Sequence, residues 1–445
     1  MTKVALTSLG CARNLVDSEV MLGSLRRENM TICDDPNDSD VVIINTCGFI
    51  REAVEESIDA ILQICGLKED GRLKKVIAVG CLVQRYGKEL VRELPDVDGF
   101  VGVNEMPRIG RVVKEVLVGK RVIELSGQPY VYDTEARFAL SPKHFRYVKI
   151  CEGCNHGCTF CAIPAIKGKL RSRSVDSILT EVVELVQEGA KEIVLIGQDT
   201  AEFGLDRDEV NALPELLRRI CTIEGDFWVR LLYSCPTYFS DELIDVISTE
   251  RKICRYVDLP VQHIDAGILE AMGRQESPED ILRLIRKIRE RIPGVSIRTS
   301  LIVGFPGEGE KEFQRLLDFV NATTFERLGA FEFSPEEGTR AAALPEQVPE
   351  EVKHERFDRL MRLQQEISVE NNRKLIGKNQ RIIVDEWSEH PDYRCVGRTE
   401  GDAPEVDGCV YVKRKSAQPG EFATVEFTGC LEYDLIGREV DEPSQ

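Results

Sequence analysis

The stretch FRYVKICEGCNHGCTFC, residues 145–161, places four cysteines within eleven residues, directly after a segment with strand character, Phe145–Ile150. Three of these cysteines form a CxxxCxxC motif: Cys154, Cys158 and Cys161. Closely spaced thiolates are ligands of iron–sulfur clusters, and three thiolates on a four-iron cluster leave one iron free for another ligand. A zinc site is the alternative, because Cys151 or His156 could supply the fourth ligand that zinc takes.

Strand and helix patterns alternate after this loop. Ser174 and Ser277 stand where N-caps of two helices are expected. The strand candidates are Phe145–Ile150, Glu192–Ile196, Phe227–Leu232, Arg255–Leu259, Val295–Val303 and Leu328–Phe333. Six βα units predict a parallel barrel that is incomplete beside the usual eight, with the cysteine loop at the edge where such barrels build active sites.

An α/β pattern also precedes the barrel. Buried parallel strands are predicted at Val4–Leu9, Val41–Asn45 and Val76–Val79. A cysteine follows the end of each of these strands: Cys11, Cys47 and Cys81. Loops at the carboxyl edge of a parallel sheet gather ligands, so we expect these thiols to share a metal or cluster; three separate core cysteines are the alternative. Other cysteines, such as Cys235, lack a partner at ligand spacing and are predicted to be structural.

The pattern changes beyond the central barrel. Residues 350–375 predict one helix, and the short alternating strands after it predict a small β-barrel of about 70 residues. Residues 122–144, with two prolines, predict a linker. We therefore predict an α/β protein with domains at residues 1–125, 137–375 and 376–445.

The composition limits the classes of function. The net charge of the 445 residues is −19, which disfavours nonspecific binding to nucleic acid and favours a basic partner. Fifteen cysteines without a secretory signal favour a cytoplasmic protein with metal or redox chemistry. No stretch approaches the ~18 apolar residues of a membrane span, so no membrane partner is expected.

The residues around the cysteines resemble the radical S-adenosylmethionine (SAM) methylthiotransferases, and within them the branch that modifies a ribosomal protein. The similar segments are SLGCARNLVDSE, NTCGFI, IGQDT, LPVQH, RTSLIVGFPGE, FSPEEGT, DAPEVDG and EYDLIG. The resemblance covers nearly the whole chain, and the C-terminal barrel is similar to the TRAM domain of that family. Two departures stand out: Ala12–Arg13 replaces a usual Pro-Lys, and LYSCP at 232–236 replaces a more aromatic run.

The resemblance implies SAM and two [4Fe-4S] clusters as cofactors, and no catalytic residue beyond the clusters. Cys154, Cys158 and Cys161 would hold the cluster that binds SAM, with Cys151 outside it. Cys11, Cys47 and Cys81 would hold an auxiliary cluster.

The resemblance also implies a reaction. A reducing electron donor and SAM would generate a 5′-deoxyadenosyl radical, which takes hydrogen from the β-carbon of an aspartate. Sulfur and a methyl group would then be added there, giving 3-methylthioaspartate. The substrate would be protein twelve of the small ribosomal subunit, free or in the ribosome.

Strand-end groups are the predicted SAM contacts: Gly197, Gln198, Gln262, Arg298 and Thr299. A glycine allows close approach of the backbone, and the polar groups can bond the amino, carboxyl and ribose groups of SAM. The alternative for each is an ordinary barrel-rim residue.

The C-terminal region bears on the substrate class. Residues 376–445 contain eight Lys and Arg against fifteen Asp and Glu, so their net charge is −7. This charge disfavours a nucleic-acid substrate, and we hypothesise that this domain docks a basic ribosomal protein; charge reversal of Asp402, Glu405 and Asp407 to lysine is the test. An acidic surface that is merely solvated is the alternative. A tRNA methylthiotransferase and a non-catalytic two-cluster electron carrier are the alternatives; the second would not cleave SAM.

Overall fold

The computed structural model describes residues 1–69, 71, 73–133, 137–413 and 417–440. They form an N-terminal parallel sheet with helices, a central incomplete barrel and a closed C-terminal β-barrel, so the predicted fold class is confirmed. Residues 134–136 of the predicted linker, and 414–416 and 441–445 of the predicted C-terminal domain, lie outside the described residues. None of the described helices is long and apolar enough to cross a membrane.

The N-terminal unit is a six-stranded parallel sheet with helices on both faces. Its elements are β1 (Lys3–Ser8), α1 (Ala12–Arg27), β2 (Thr31–Ile32), β3 (Val41–Thr46), α2 (Arg51–Glu69), β4 (Lys75–Gly80), α3 (Cys81–Glu93), β5 (Gly99–Val101), α4 (Ile109–Leu117) and β6 (Val122–Glu124). The strand order is β2-β1-β3-β4-β5-β6. Successive side chains of a strand point to opposite faces, so Ile43 of β3 packs in the cluster with α1 and α4, whereas Ile44 packs with α2 and α3.

Strand β6 corrects the predicted linker, which was expected to start at residue 122. Val122–Glu124 pairs in parallel with β5, so the connection to the barrel begins after Glu124. A strand of three residues carries too little periodicity to be separated from a loop by its sequence.

The central unit is the predicted incomplete barrel. Its elements are β7 (Phe145–Lys149), β8 (Cys151–Glu152), α5 (Ile163–Lys167), β9 (Arg171–Ser172), α6 (Val175–Gln187), β10 (Glu192–Ile196), α7 (Ala212–Cys221), β11 (Trp228–Leu231), α8 (Asp241–Thr249), β12 (Tyr256–Asp258), α9 (Ala266–Ala271), α10 (Pro278–Arg291), β13 (Ser296–Val303), α11 (Glu310–Thr323) and β14 (Arg327–Glu332). The six barrel strands pair as β7-β10-β11 and β12-β13-β14, and Val229 bridges to Ile253 between the two groups. Ser174 and Ser277 cap α6 and α10 as predicted.

The edge strand β7 is covered by the N-terminal unit. Val16 and Val20 of α1 share an apolar cluster with Phe145 and Tyr147 of β7. This packing holds the carboxyl edges of the two parallel sheets close together, which is where both cysteine sets lie.

The C-terminal unit begins after the predicted long helix, α12 (Glu350–Arg373). Its strands are β15 (Asn379–Trp387), β16 (Cys395–Thr399), β17 (Val410–Lys413), β18 (Phe422–Cys430) and β19 (Leu435–Glu439). They close a barrel in the order β15-β16-β17-β19-β18, which confirms the predicted small β-barrel.

The loop after β16 packs against the amino-terminal end of the central barrel. Arg327, the first residue of β14, donates from Nε to Asp402 Oδ1 at 2.9 Å, and Tyr256, the first residue of β12, donates to Asp407 Oδ2 at 2.6 Å. The Tyr147 hydroxyl of β7 donates to Glu405 at 2.7 Å. The acidic loop is therefore a contact between two parts of the same chain.

This contact involves the three carboxylates chosen to test the docking hypothesis, Asp402, Glu405 and Asp407. Asp402 is only 1% exposed, and all three carboxylates already accept hydrogen bonds from the barrel. The side chains of Asp402 and Asp407 are buried against barrel arginines that are distant in sequence, whereas Glu405 is exposed. Docking by the domain as a whole stays a prediction.

Candidate functional site

A cavity of about 170 Å³ opens between the N-terminal sheet and the carboxyl end of the barrel. Its lining includes Arg13, Phe49, Cys154, His156, Cys158, Phe160, Cys161, Gln198, Tyr233, Cys235, Gln262 and Arg274. Two of these, Arg13 and Phe49, come from the N-terminal unit. The barrel cysteines therefore lie across the cavity from the loops that carry Cys11 and Cys47.

Backbone contacts of the CxxxCxxC loop fix its path. The Cys154 amide donates to the Gly168 carbonyl at 3.2 Å, and the Thr159 amide donates to the Met272 carbonyl at 2.8 Å. Gly153 has φ +79°, and a Cβ there would lie 2.1 Å from the Lys169 carbonyl oxygen. Only glycine fits this turn, which directs the following cysteines toward the cavity.

The N-terminal cysteines follow three adjacent strands. Cys11 precedes α1 after β1, Cys47 follows β3, and Cys81 begins α3 directly after β4. A Cβ on Gly10 would lie 3.2 Å from Cys47 Sγ, and one on Gly48 would lie 2.6 Å from Leu82 Cα. The three loops are thus packed against one another as predicted from the strand ends.

Asn14 ties these loops together, and sequence reasoning did not identify it. Its side-chain amide donates to the carbonyls of Leu9 at 3.0 Å and Thr46 at 3.1 Å, and Cys81 Sγ lies 3.6 Å from its Oδ1. Its position three residues after Cys11, in the SLGCARN segment, was the available signal.

Burial and charge affect the three thiols differently. Burial raises the pKa of Cys81 to about 12. Burial also opposes ionisation of Cys11, but Arg13 and the Asn14 amide outweigh it and lower the pKa of that thiol. Burial also raises the pKa of Cys47. A bound metal stabilises buried thiols such as Cys47 and Cys81 as thiolates, so this donor set fits a cluster.

The ligand distances favour a cluster over a single zinc ion. Among the described residues, neither cysteine triplet brings its three Sγ atoms within 4.8 Å of one another, as the ligands of one ion require. A cluster holds its thiolates on separate irons and so spreads them farther apart. Both triplets fit iron–sulfur clusters in this respect.

Neither proposed fourth zinc ligand completes a site on the three barrel cysteines, although the ligand atoms of His156, Cys154 and Glu202 lie within 4.8 Å of one another. Cys151 is fully buried; its thiol lies 3.4 Å from the Asp199 carbonyl, and a Cβ on Gly197 would lie 2.4 Å from its Sγ. The His156 imidazole pairs with the Asp199 carboxylate at 2.7 Å. Both groups are held by other contacts.

The five predicted SAM contacts separate into two groups. Gln198 and Gln262 line the cavity, and the Gly197 carbonyl accepts a hydrogen bond from Arg13. Arg298 instead pairs with Asp258 at 3.1 Å and with Asp407 of the C-terminal loop at 3.4 Å. Thr299 is fully buried and donates to the Leu259 carbonyl at 2.9 Å. The side chains of Arg298 and Thr299 are therefore bonded to residues outside the cavity lining.

Two lining residues have strained backbones. Tyr233 and Gln262 have φ values of +63° and +70°, a left-handed conformation that L-residues adopt at a cost. Such strain concentrates where a site needs a particular side-chain direction. Both residues follow barrel strands, at the edge that faces the cysteines.

Cys235 also lines the cavity, against the prediction of a purely structural cysteine. It follows the end of β11 and lies 3.2 Å from Nη2 of Arg274, which in turn pairs with Glu276. Its position past a strand end was the signal that could have identified it. Cys235 has no second cysteine at ligand spacing along the chain, so its spacing carried no such signal.

Four buried charges join the two sheets beneath the cavity. Asp17 of α1 pairs with Lys149 and Lys167 of the barrel, and both lysines also pair with Glu152. Burial favours the neutral form of Glu152, but the two lysines outweigh it and hold its pKa well below the usual range. Glu152 in turn accepts a hydrogen bond from the Gln198 side chain, so this network supports a cavity residue.

We expect Asp17→Asn to lower the free energy of unfolding by about 2–3 kcal/mol, because two buried ammonium groups would share one remaining carboxylate. The measurement is the shift of the urea midpoint. Asp176→Asn is the matched control, since that side chain is 88% exposed and should shift the midpoint little. Equal midpoints for both variants would contradict the prediction.

Family models match all three parts of the chain. Residues 148–320 match the Radical SAM superfamily, residues 3–102 match the Uncharacterized protein family UPF0004, and residues 376–440 match the TRAM domain. Among solved structures, the chain is similar to the radical S-adenosylmethionine methyltransferase TsrM from Kitasatospora setae, with a TM-score of 0.56 and 18% identity over 74% of this chain and 73% of that one. This likeness concerns the fold. The fold and the CxxxCxxC loop at its barrel mouth define a radical SAM protein.

Curated relatives show which family of radical SAM proteins the chain belongs to. The chain is 47% identical to "Ribosomal protein uS12 methylthiotransferase RimO" of Heliobacterium modesticaldum, over 100% of this chain and 96% of the relative. The proteins of the same name from Trichlorobacter lovleyi and Geobacter sulfurreducens are 44% and 45% identical, over 99% and 98% of this chain and 98% of each relative. The chain belongs to the RimO family of methylthiotransferases, which confirms the resemblance seen in the sequence.

Proposed function

We propose that this protein is a radical SAM enzyme that adds sulfur and a methyl group to the β-carbon of an aspartate in uS12, protein twelve of the small ribosomal subunit. The observation that carries the proposal is the cavity lined by Cys154, Cys158 and Cys161 and by Arg13 and Phe49 from the loops of the other triplet, in a chain whose relatives are uS12 methylthiotransferases over nearly their full length. The family's cofactors are SAM and two [4Fe-4S] clusters. We place its three domains at residues 1–125, 137–375 and 376–445.

Each cysteine triplet has a separate role in this proposal. Cys154, Cys158 and Cys161 would hold one cluster at the barrel mouth, where three thiolate ligands would leave one iron available to SAM. Cys11, Cys47 and Cys81 would hold the second cluster in the loops of the N-terminal sheet. The chemistry that the bound cofactors supply is a carbon-centred radical and a methylthio group, both of which an acid–base side chain cannot provide.

The chain's own residues position and shield the reactants. The barrel and the N-terminal sheet enclose the cavity from opposite sides, which limits the access of water to a reactive intermediate. Gln198 is oriented by Glu152, and the left-handed backbone of Gln262 faces it from another strand end. We propose these two side chains and the backbone at Gly197 as the SAM contacts, because the side chains of Arg298 and Thr299 are bonded to the C-terminal loop and to Leu259.

The partners follow from the same proposal. The substrate is uS12, free or within the ribosome, and the reaction also needs a reducing electron donor in the cytoplasm. The net charge of −19 favours a basic protein over a polyanion, although the buried carboxylate of Asp402 is not available to a partner.

The test is mass spectrometry of uS12 and bulk tRNA after incubation with the reconstituted protein, SAM and a reductant. We expect the mass gain of one methylthio group on an aspartate of uS12, together with 5′-deoxyadenosine, and no gain on tRNA. A gain on tRNA alone would overturn the substrate assignment. Absence of 5′-deoxyadenosine from protein with full iron content would favour an electron carrier.

A further inference from the structure

Arg13 occupies the boundary between the two cysteine sets. Its Nε lies 3.5 Å from Cys11 Sγ, and its Nη1 donates to the Gly197 carbonyl at 3.1 Å across the domain boundary. The guanidinium carbon lies 4.5 Å from the centroid of the Tyr233 ring. These three contacts hold the cation at one position in the cavity.

The arginine has no carboxylate partner within the described part of the chain. The other two basic side chains of the cavity do have one: His156 pairs with Asp199 at 2.7 Å and Arg274 with Glu276 at 3.2 Å. Arg13 forms no ion pair with any described residue, and its Nη2 donates no hydrogen bond to one. A guanidinium in such a site is placed to receive an anion, and its planar fork is suited to a carboxylate.

Arg13 lies where the proposed reaction would place the carboxylate of the target aspartate. This step rests on the proposed function, in which the reacting β-carbon lies between SAM and the sulfur at the N-terminal cysteines. The γ-carboxylate is one bond from that carbon. A carboxylate on Arg13 would therefore hold the β-carbon between Cys11 on one side and the strand end at Gly197 and Gln198 on the other.

The cost of removing a carboxylate from water favours a cation at this position. A carboxylate that leaves water for a partly enclosed cavity loses part of its hydration and is stabilised by a charge partner there. An asparagine in the same position would lack the charge, so the site would discriminate between the two side chains.

We propose that Arg13 is a specificity-determining residue that binds the side-chain carboxylate of the target aspartate and positions its β-carbon between the two clusters. The ligand is thus an aspartate side chain in a polypeptide. The carboxylate of SAM is the competing anion, and the experiment below separates the two.

The experiment compares the affinities of uS12 and of uS12 with its modified aspartate changed to asparagine, using the cluster-loaded protein with SAM. We expect the natural protein to prefer the aspartate form by at least about tenfold, the effect of one charge-assisted contact. Arg13→Gln should reduce this ratio to about one, and Arg13→Lys, which keeps the charge, should retain part of it. Arg27→Gln, an exposed charge change on the same helix, should leave the ratio unchanged.

Two further measurements on Arg13→Gln separate substrate binding from effects on the cofactors. Iron and sulfide content, and the affinity for SAM, should equal those of the natural protein. A lost affinity for SAM, a lost cluster or a retained aspartate preference would each overturn the inference. If the natural protein adds no methylthio group to uS12, the proposed function fails, and this inference with it; if uS12 is modified and Arg13→Gln keeps the preference, only this inference fails.

Discussion

Cys154→Ser is expected to lower the rate of SAM cleavage by at least about 100-fold, since loss of a hydrogen-bond partner of a metal ligand already costs about 10–100-fold and this change removes a ligand itself. The hydroxyl of serine is a poor ligand for iron beside two thiolates. Cleavage is measured as 5′-deoxyadenosine formed by the anaerobically reconstituted protein with a strong reductant.

Cys151→Ser is the matched control for this prediction. Its thiol lies three residues away but contacts the Asp199 carbonyl and is enclosed by Gly197. We expect Cys151→Ser to keep both clusters and to cleave SAM at nearly the natural rate. Loss of iron from Cys151→Ser, or unchanged cleavage by Cys154→Ser, would show that the ligand set is assigned incorrectly.

Asp402→Lys is expected to lower the free energy of unfolding by at least about 4 kcal/mol, the range for breaking a buried ion pair. The change removes the partner of Arg327 and the acceptor of the Thr399 hydroxyl at 2.6 Å, and it places a second cation beside the arginine. The shift of the urea midpoint measures this loss. Glu389→Lys makes the same charge change at an exposed position of the same domain and should shift the midpoint little.

The same pair of variants decides the role of the acidic loop. A docking surface would lose affinity for uS12 in Asp402→Lys without a change of stability. The structure leads to the opposite expectation, because the carboxylate links the C-terminal barrel to the central barrel. An Asp402→Lys protein as stable as Glu389→Lys would contradict this reading.

The sequence predicted best the elements that show a pattern within a short stretch of residues. The six barrel strands were located to within one residue at each end, because buried parallel strands form apolar runs and polar caps mark the helices between them. Strand β6 was missed, since three residues at a sheet edge have no distinct pattern. Cys235 was assigned to the core because ligand spacing along the chain says nothing about residues that meet only across a barrel mouth.

The pairings of charged groups could not be predicted. Arg298 was expected at SAM because it lies on a barrel strand, yet it reaches Asp258 and Asp407. Its partner Asp407 is more than 100 residues away in the sequence, and no periodicity connects the two. Asp402 was judged from the charge of its domain for the same reason.

The sequence by itself determined the kind of chemistry and the general location of the site. Cysteine identity and spacing specify a cluster-binding loop, and the position of each cysteine after a strand specifies the edge of the sheet, because both properties are local to a few residues. Only the tertiary structure decided which groups meet: Arg13 between the two cysteine sets, Asp17 with the barrel lysines, and the acidic loop beneath the barrel. The physical reason is that such contacts depend on how separate domains pack, and that packing is the sum of many weak contacts between residues distant along the chain.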